Sequence, residues 1–191
     1  MNKKIGLAIA FMLLALVGCS SSKQVVMHQY LLPELPVVDG YAKAKQPLAL
    51  TLEPIRLPAY LDSTRMTMVD ADGGVYQASH HLWAEDLSSQ MQRLGKLRLK
   101  QRLPQIQWVD SGYRLIIHAD TFSADSQGIA HLKGYWQLLD SERKPVLSGS
   151  FAKKQPLTQS GYLAMSQALS DLWGQTIDNI AQQLANSQPP F

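Results

Sequence analysis

The chain carries one thiol, Cys19, and five imidazoles, at His28, His80, His81, His118 and His131. A lone cysteine excludes an internal disulfide framework and any cysteine-rich zinc module. No His-Glu-x-x-His or comparable ligand spacing joins the histidines, and His80 and His81 on a strand would point to opposite faces. Ser-x-x-Lys occurs twice, from Ser20 to Lys23 and from Ser150 to Lys153. On a strand, residues three apart face opposite ways, so Lys153 cannot reach Ser150. Neither match has a Gly-x-Ser-x-Gly elbow beside it. Glu85-Asp86 reads as charge at a helix N-terminus rather than as an acid/base pair. Gly73-Gly74 leads into a strand-like segment, not a helix, and is no phosphate loop. These residues define no catalytic or metal site, and no enzyme is expected.

Cys19 has the strongest chemical case. Lys3-Lys4 precede the uncharged run Ile5–Val17, which closes on Leu16-Val17-Gly18-Cys19. As a helix the run reaches ~20 Å, short of the ~30 Å hydrocarbon core of a bilayer. A basic start followed by a short apolar stretch reads as a signal peptide over residues 1–18, not a membrane span. The box resembles the bacterial lipobox, in which the cysteine thiol takes up diacylglycerol and the peptide is cut before it. Val17 and Gly18 suit a narrow peptidase pocket. Cys19 is therefore the expected lipid-attachment site, bearing diacylglyceryl and N-acyl chains, and no other cofactor is expected. Ser20, where Asp would retain the product, points to the outer membrane. Several acyl chains at about 0.8 kcal/mol per buried methylene hold a protein there permanently, here on the periplasmic face.

Charge narrows the partners. Of 18 basic residues, Lys3 and Lys4 fall in the signal peptide, leaving 16 against 15 acidic ones. A nucleic-acid ligand needs a cationic excess that this nearly neutral chain lacks.

The rest of the sequence divides into a short lipidated tether, residues 19–28, and one domain, residues 29–191. Tyr30–Leu32 reads as a first strand, and the proline-bearing stretch from Pro33 to Pro47 as a loop. Leu48, Leu50 and Leu52 alternate with Ala49, Thr51 and Glu53, and Pro54 imposes an edge or a bulge. Arg65–Asp70 and Val75–His80 flank Asp72-Gly73-Gly74 as a hairpin. Trp83, Leu87, Met91 and Leu94 then follow a helical face, with Glu85 and Asp86 in its first turn. Three strands follow, at Tyr113–Phe122, Leu132–Leu138 and Val146–Phe151, for which an antiparallel meander is the shortest connection. Tyr162 to Leu184 is a long amphipathic helix. The expected class is α+β, strands–helix–strands–helix, with one mostly antiparallel sheet packed by two amphipathic helices.

Two surface features suit a partner. The loop Leu57-Pro58-Ala59-Tyr60-Leu61 is stiffened by proline and presents Leu57, Pro58, Tyr60 and Leu61 as interface anchors. The cluster Arg93, Lys96 and Arg98 suits acidic partner surfaces or lipid headgroups.

The chain also resembles the PqiC-like family of ABC-type transport auxiliary lipoproteins. The likeness runs through Tyr30-Leu31-Leu32-Pro33, Ile55–Asp62, Leu82-Trp83-Ala84-Glu85-Asp86-Leu87, Tyr113–Phe122, Gly134–Leu138, Gly149-Ser150-Phe151 and the C-terminal helix. Asp86 departs from the proline that many relatives place after Trp-Ala-Glu. The resemblance implies a non-enzymatic, outer-membrane lipoprotein of an intermembrane transport system. Its partner would be an MCE-domain protein bridging the periplasm, with further copies of itself as a second association. A lipid carrier with a hydrophobic groove between helix and sheet is the alternative.

Overall fold

Alternating apolar residues make the strands, and the computed structural model describes them within residues 25–37 and 47–187. Cys19, with the signal peptide and most of the tether, lies outside the described residues. The elements are β1 (His28–Tyr30), β2 (Leu48–Leu52), β3 (Arg65–Val69), β4 (Val75–Trp83), α1 (Leu87–Arg102), β5 (Ile106–Trp108), β6 (Tyr113–Ala124), β7 (Ile129–Leu139), β8 (Pro145–Pro156) and α2 (Tyr162–Ser187). The order is strands–helix–strands–helix and the class is α+β, as the periodicity predicts.

All eight strands share one sheet built around β6. Along one edge β6 pairs antiparallel with β7, which pairs antiparallel with β8. Its other edge is divided: Tyr113–Leu115 pairs with β2, and Ala124 meets Met68 of β3. From there β2 leads to β5, while β3 leads through β4 to β1.

The sheet is mixed rather than mostly antiparallel. The meander β6–β8 and the hairpin β3–β4 are antiparallel, because short turns reverse the chain. The pairs β1–β4, β2–β5, β2–β6 and β3–β6 are parallel. Each joins strands separated by a long excursion, which can return the chain in its original direction.

Pro54 produces a bulge. Leu52 is level with Leu115, but Arg56 is level with His118, four residues against three. A second irregularity in β6, between Ala119 and Thr121, leaves Asp120 unpaired. Opposite it stands Gly134, where a Cβ would run into the His118 carbonyl oxygen. Only glycine permits that strand approach.

One face of the sheet is covered by both helices. Leu115, Ile117, Phe122, Leu132, Trp136 and Leu138 face inward against Met91, Leu94, Leu99, Leu169, Leu172, Trp173 and Ile177 in one core. The Trp173 indole donates to the Met91 carbonyl, 2.9 Å, tying α2 to α1.

Two boundaries differ from the sequence reading. The first strand is His28–Tyr30, so Leu31 and Leu32 lie beyond it. Trp83 ends β4 instead of opening the helix, paired with Tyr30 and donating its N–H to the Thr64 carbonyl, 2.6 Å. Asp86 is the cap: its carboxylate accepts from the Ser89 N–H, 2.7 Å, and the first turn itself holds no acid. Asp86 thus starts the helix by side-chain capping.

After β1 the chain forms a strap along the helix pair. The Leu32 N–H donates to Gln90 Oε1, 2.8 Å, and Ser170 Oγ donates to the Pro33 carbonyl, 2.7 Å. Leu35 packs against Gly174, and Arg98 donates to the Pro36 carbonyl, 2.6 Å.

Candidate docking surface

The fold brings the two surface features onto one flank. Ser88 Oγ donates to the Ile55 carbonyl, 2.7 Å, and Gln92 Nε2 to the Leu52 carbonyl, 3.0 Å. Residues four apart on a helix share a face, so these bonds lay α1 alongside the chain from β2 to the Tyr60 loop. Lys96, the next residue of that row, reaches the Trp108 ring, its ammonium 5.9 Å from the centroid.

At one end of this flank the Leu57–Asp62 loop is a single tight turn, with Leu61 and Asp62 donating to the Pro58 carbonyl. Leu57, Pro58 and Tyr60 are half-buried. The Tyr60 hydroxyl donates to the Asp120 carbonyl in the β6 bulge, 2.9 Å. Burial pushes the phenol above its usual pKa; a hydrogen bond with Thr121 opposes this and the Asp120 charge adds to it. Leu61 is 3% exposed and belongs to the core, because the turn that displays Tyr60 folds the next residue inward.

Along α1, Arg93, Lys96, Leu97 and Lys100 face outward together, and Leu97 is 56% exposed. Arg93 holds Glu85, the residue before the cap, at 2.5 Å. Lys100 donates to the carbonyls of Pro104 and Ile106, fixing the turn that presents Trp108. Trp108 is 37% exposed and borders a cleft of about 160 Å³ with Leu50, Leu52 and Lys96. Sequence reasoning missed Leu97, Lys100 and Trp108. The i, i+3, i+4, i+7 spacing of the first two with Arg93 and Lys96 was the available signal.

Arg98 is removed from the cationic surface. It is 5% exposed and turned toward α2, where Nε and Nη2 donate to both oxygens of Asp178, 2.6 and 2.8 Å. Arg102 makes the same pair of bonds to Asp178, at 2.7 and 2.8 Å. Burial alone would raise the Asp178 carboxyl, but these two guanidiniums hold it below the usual carboxylate range. The sequence places Arg98 in a charged run; only helix packing shows that it faces the other helix.

Among the described residues, no group of three or more His, Cys, Asp or Glu is placed to hold a metal. Asp125 and His131 pair at 2.7 Å, and Ser123 lies opposite His131 across β6 and β7. These are the residue types of a hydrolytic triad. Ser123 Oγ is fully buried, however, and makes no hydrogen bond with a described residue. Asp125 instead accepts from Gln127 and Ile129, holding its turn. His81 stacks on Tyr162, with centroids 4.1 Å apart, and bonds Tyr30 through Nδ1, 2.9 Å. Burial, with the charges of His28 and His80, lowers its pKa. Ser150 faces away from the helices and Lys153 toward them, so that Ser-x-x-Lys match holds no pair.

Known proteins share both the sequence pattern and the fold. The model of the ABC-type transport auxiliary lipoprotein component matches residues 30–181. The chain is 26% identical over 176 residues to the intermembrane transport lipoprotein PqiC of Escherichia coli K12, covering 88% of this chain and 91% of that one. The Shigella flexneri protein of the same name gives the same values. A crystal structure of an uncharacterised protein shares the fold with a TM-score of 0.72 at 21% identity, covering 83% of this chain and 99% of its own. A Xanthomonas campestris protein does so with a TM-score of 0.71 at 16% identity, covering 84% and 96%.

Proposed function

Because the chain belongs to the ABC-type transport auxiliary lipoprotein family, we propose that it is the docking subunit of an MCE-type intermembrane lipid transport system. In this reading Cys19 is lipidated, residues 1–18 are removed, residues 19–28 form the tether, and residues 29–191 stand in the periplasm on the inner leaflet of the outer membrane. The protein acts through contacts and not through catalysis. Its partners are an MCE-domain protein that spans the periplasm and further copies of itself.

The observation that carries the reading is the family match along residues 30–181, joined to a relative whose name is that of an intermembrane transport lipoprotein. The flank built by Leu57, Pro58, Tyr60, Arg93 and Lys96 gives that role a surface. Leu97 and Trp108 supply apolar contact area there, and the cations around them favour an acidic partner. The core supports docking over carriage. Trp136, Trp173, Phe122 and Leu115 fill the space between helices and sheet. The clefts beside Trp108 and Trp136, of about 160 and 190 Å³, are too small for an acyl chain.

The test is capture of an MCE-domain protein by the full chain, purified from membranes in non-ionic detergent. Arg93→Glu with Lys96→Glu should weaken capture at least about tenfold, since like charges replace complementary ones. Failure of the unaltered chain to bind any MCE-domain protein overturns the proposal. Cys19→Ser should abolish palmitate labelling and release the product from the membrane fraction; unchanged labelling would refute the anchor.

A further inference from the structure

The opposite edge of the sheet, formed by β8, carries a second cleft, independent of the docking flank. It lies between β8 and α2 and has a volume of about 190 Å³. Trp136 forms its floor. That residue is 1% exposed. Its indole N–H, which has no hydrogen-bond partner among the described residues, is not one of the fully buried unpartnered atoms and so opens to the cleft. The enclosed Trp173 N–H, by contrast, is bonded within the core.

Gly149 of β8 explains how Trp136 Nε1 reaches the cleft. A Cβ at that position would lie 2.8 Å from Nε1 and 3.3 Å from Gln183 Oε1. Any larger residue would cover the donor. Four residues along the strand, Lys153 also faces the helix side, and its ammonium forms no ion pair or hydrogen bond with a described residue. Asn179 and Gln183 line the α2 side with side-chain amide groups that bond no described residue, and no carboxylate among the described residues lines the cleft. Phe151 and Ile180 complete the wall with apolar surface.

A cation, an unbonded indole donor and an amide donor converge where no acid is present among the described residues. We propose that this cleft binds the oxyanion of a phosphate ester. The ammonium neutralises the charge, the indole and the Asn179 amide donate to its oxygens, and the Phe151–Ile180 wall accepts the attached carbon. The volume suits a phosphate with a short glycerol-like substituent and is too small for an acyl chain. Phosphorylated small molecules and phospholipid headgroups share this chemistry.

The experiment uses the full chain, labelled with ¹⁵N and held in non-ionic detergent micelles. Its four indole N–H signals belong to Trp83, Trp108, Trp136 and Trp173, and Trp136→Phe assigns the one of interest. Inorganic phosphate, glycerol 3-phosphate and a short-chain phosphatidylglycerol are titrated separately at constant ionic strength. The Trp136 signal should move saturably while the Trp173 signal stays fixed. Lys153→Gln should lose roughly tenfold or more in affinity, the effect of one charge-assisted hydrogen bond. Gly149→Ala should abolish the response with the Trp173 signal unaltered, which shows the core intact. A response to all three ligands assigns the site to phosphate esters in general; tighter binding of the lipid assigns it to headgroups. A Trp136 signal unmoved by all three, or moved equally in Lys153→Gln, overturns the proposal. So does an equal response to acetate.

Discussion

Replacing Asp178 by alanine should destabilise the domain by about 3 kcal/mol. Asp178 is held by two guanidiniums, and Arg98 keeps only 6% of its side chain in solvent. Removing the carboxylate strands the Arg98 charge in the interior, a change worth about 3–5 kcal/mol. Arg102 retains 24% exposure and Asp178 19%, so water compensates in part and the lower figure applies. For a domain of this size, each kcal/mol lowers the melting temperature by about 2–4 °C, which gives a drop of roughly 6–12 °C. The assay is thermal unfolding of the full chain in non-ionic detergent, followed by circular dichroism. The pH dependence has a definite sign. The folded-state carboxyl titrates below its unfolded value of about 3.9, so its contribution is complete above that value and is lost as pH falls through the folded value. The gap between the native chain and Asp178→Ala should be full at neutral pH and close in acid below about pH 4. Arg98→Met combined with Asp178→Leu, which removes both charges, should cost less than Asp178→Ala alone. A drop under about 2 °C at neutral pH, or a gap that persists unchanged in acid, would refute the reasoning.

Three further substitutions probe the elements that place this node. Asp86→Ala should cost about 1 kcal/mol through loss of the α1 cap, with Asp86→Asn recovering most of it, read as melting temperature. Gly174→Ala places a Cβ 2.9 Å from Leu35 Cδ2 at the strap and should cost about 1 kcal/mol; Leu35→Ala in the same chain should cancel the clash, and strict additivity would show that the strap does not rest there. Gly134→Ala meets a backbone oxygen rather than a movable side chain, so it should cost more than about 3 kcal/mol and abolish the cooperative transition.

The elements legible in the sequence are those whose pattern is local. Alternation at Leu48, Leu50 and Leu52 marks β2, and the helical spacing of Leu169, Leu172, Trp173, Ile177 and Ile180 marks α2. Pro54 announces its bulge, since it cannot join the ladder on the β6 side. Trp83 misleads because it sits four residues before Leu87 and so extends the helical period by coincidence; its pairing with Tyr30 joins residues 53 apart. The direction of the β2–β6 and β1–β4 pairs is likewise hidden, since strand direction follows from where a long connection returns.

For the candidate site the division is sharper. The cationic run from Arg93 and the proline-stiffened Tyr60 loop are visible as composition, but neither pattern says that they share a flank. The bonds from Ser88 to Ile55 and from Gln92 to Leu52 place them together.

The sequence by itself determined the leader-like run, the thiol at Cys19, the near balance of charge, the two amphipathic helices and the meander of the last three strands, because each depends on residues that are neighbours along the chain. Tertiary structure alone decided which cations stay in solvent and which turn inward, and that the Ser123 hydroxyl is buried with no partner among the described residues. Lys96 and Arg98 show the reason: two positions apart, they lie about 200° apart around the helix axis. One therefore meets Trp108 and water while the other meets Asp178. A charge pattern read along the chain carries no information about which side of α1 the second helix will occupy.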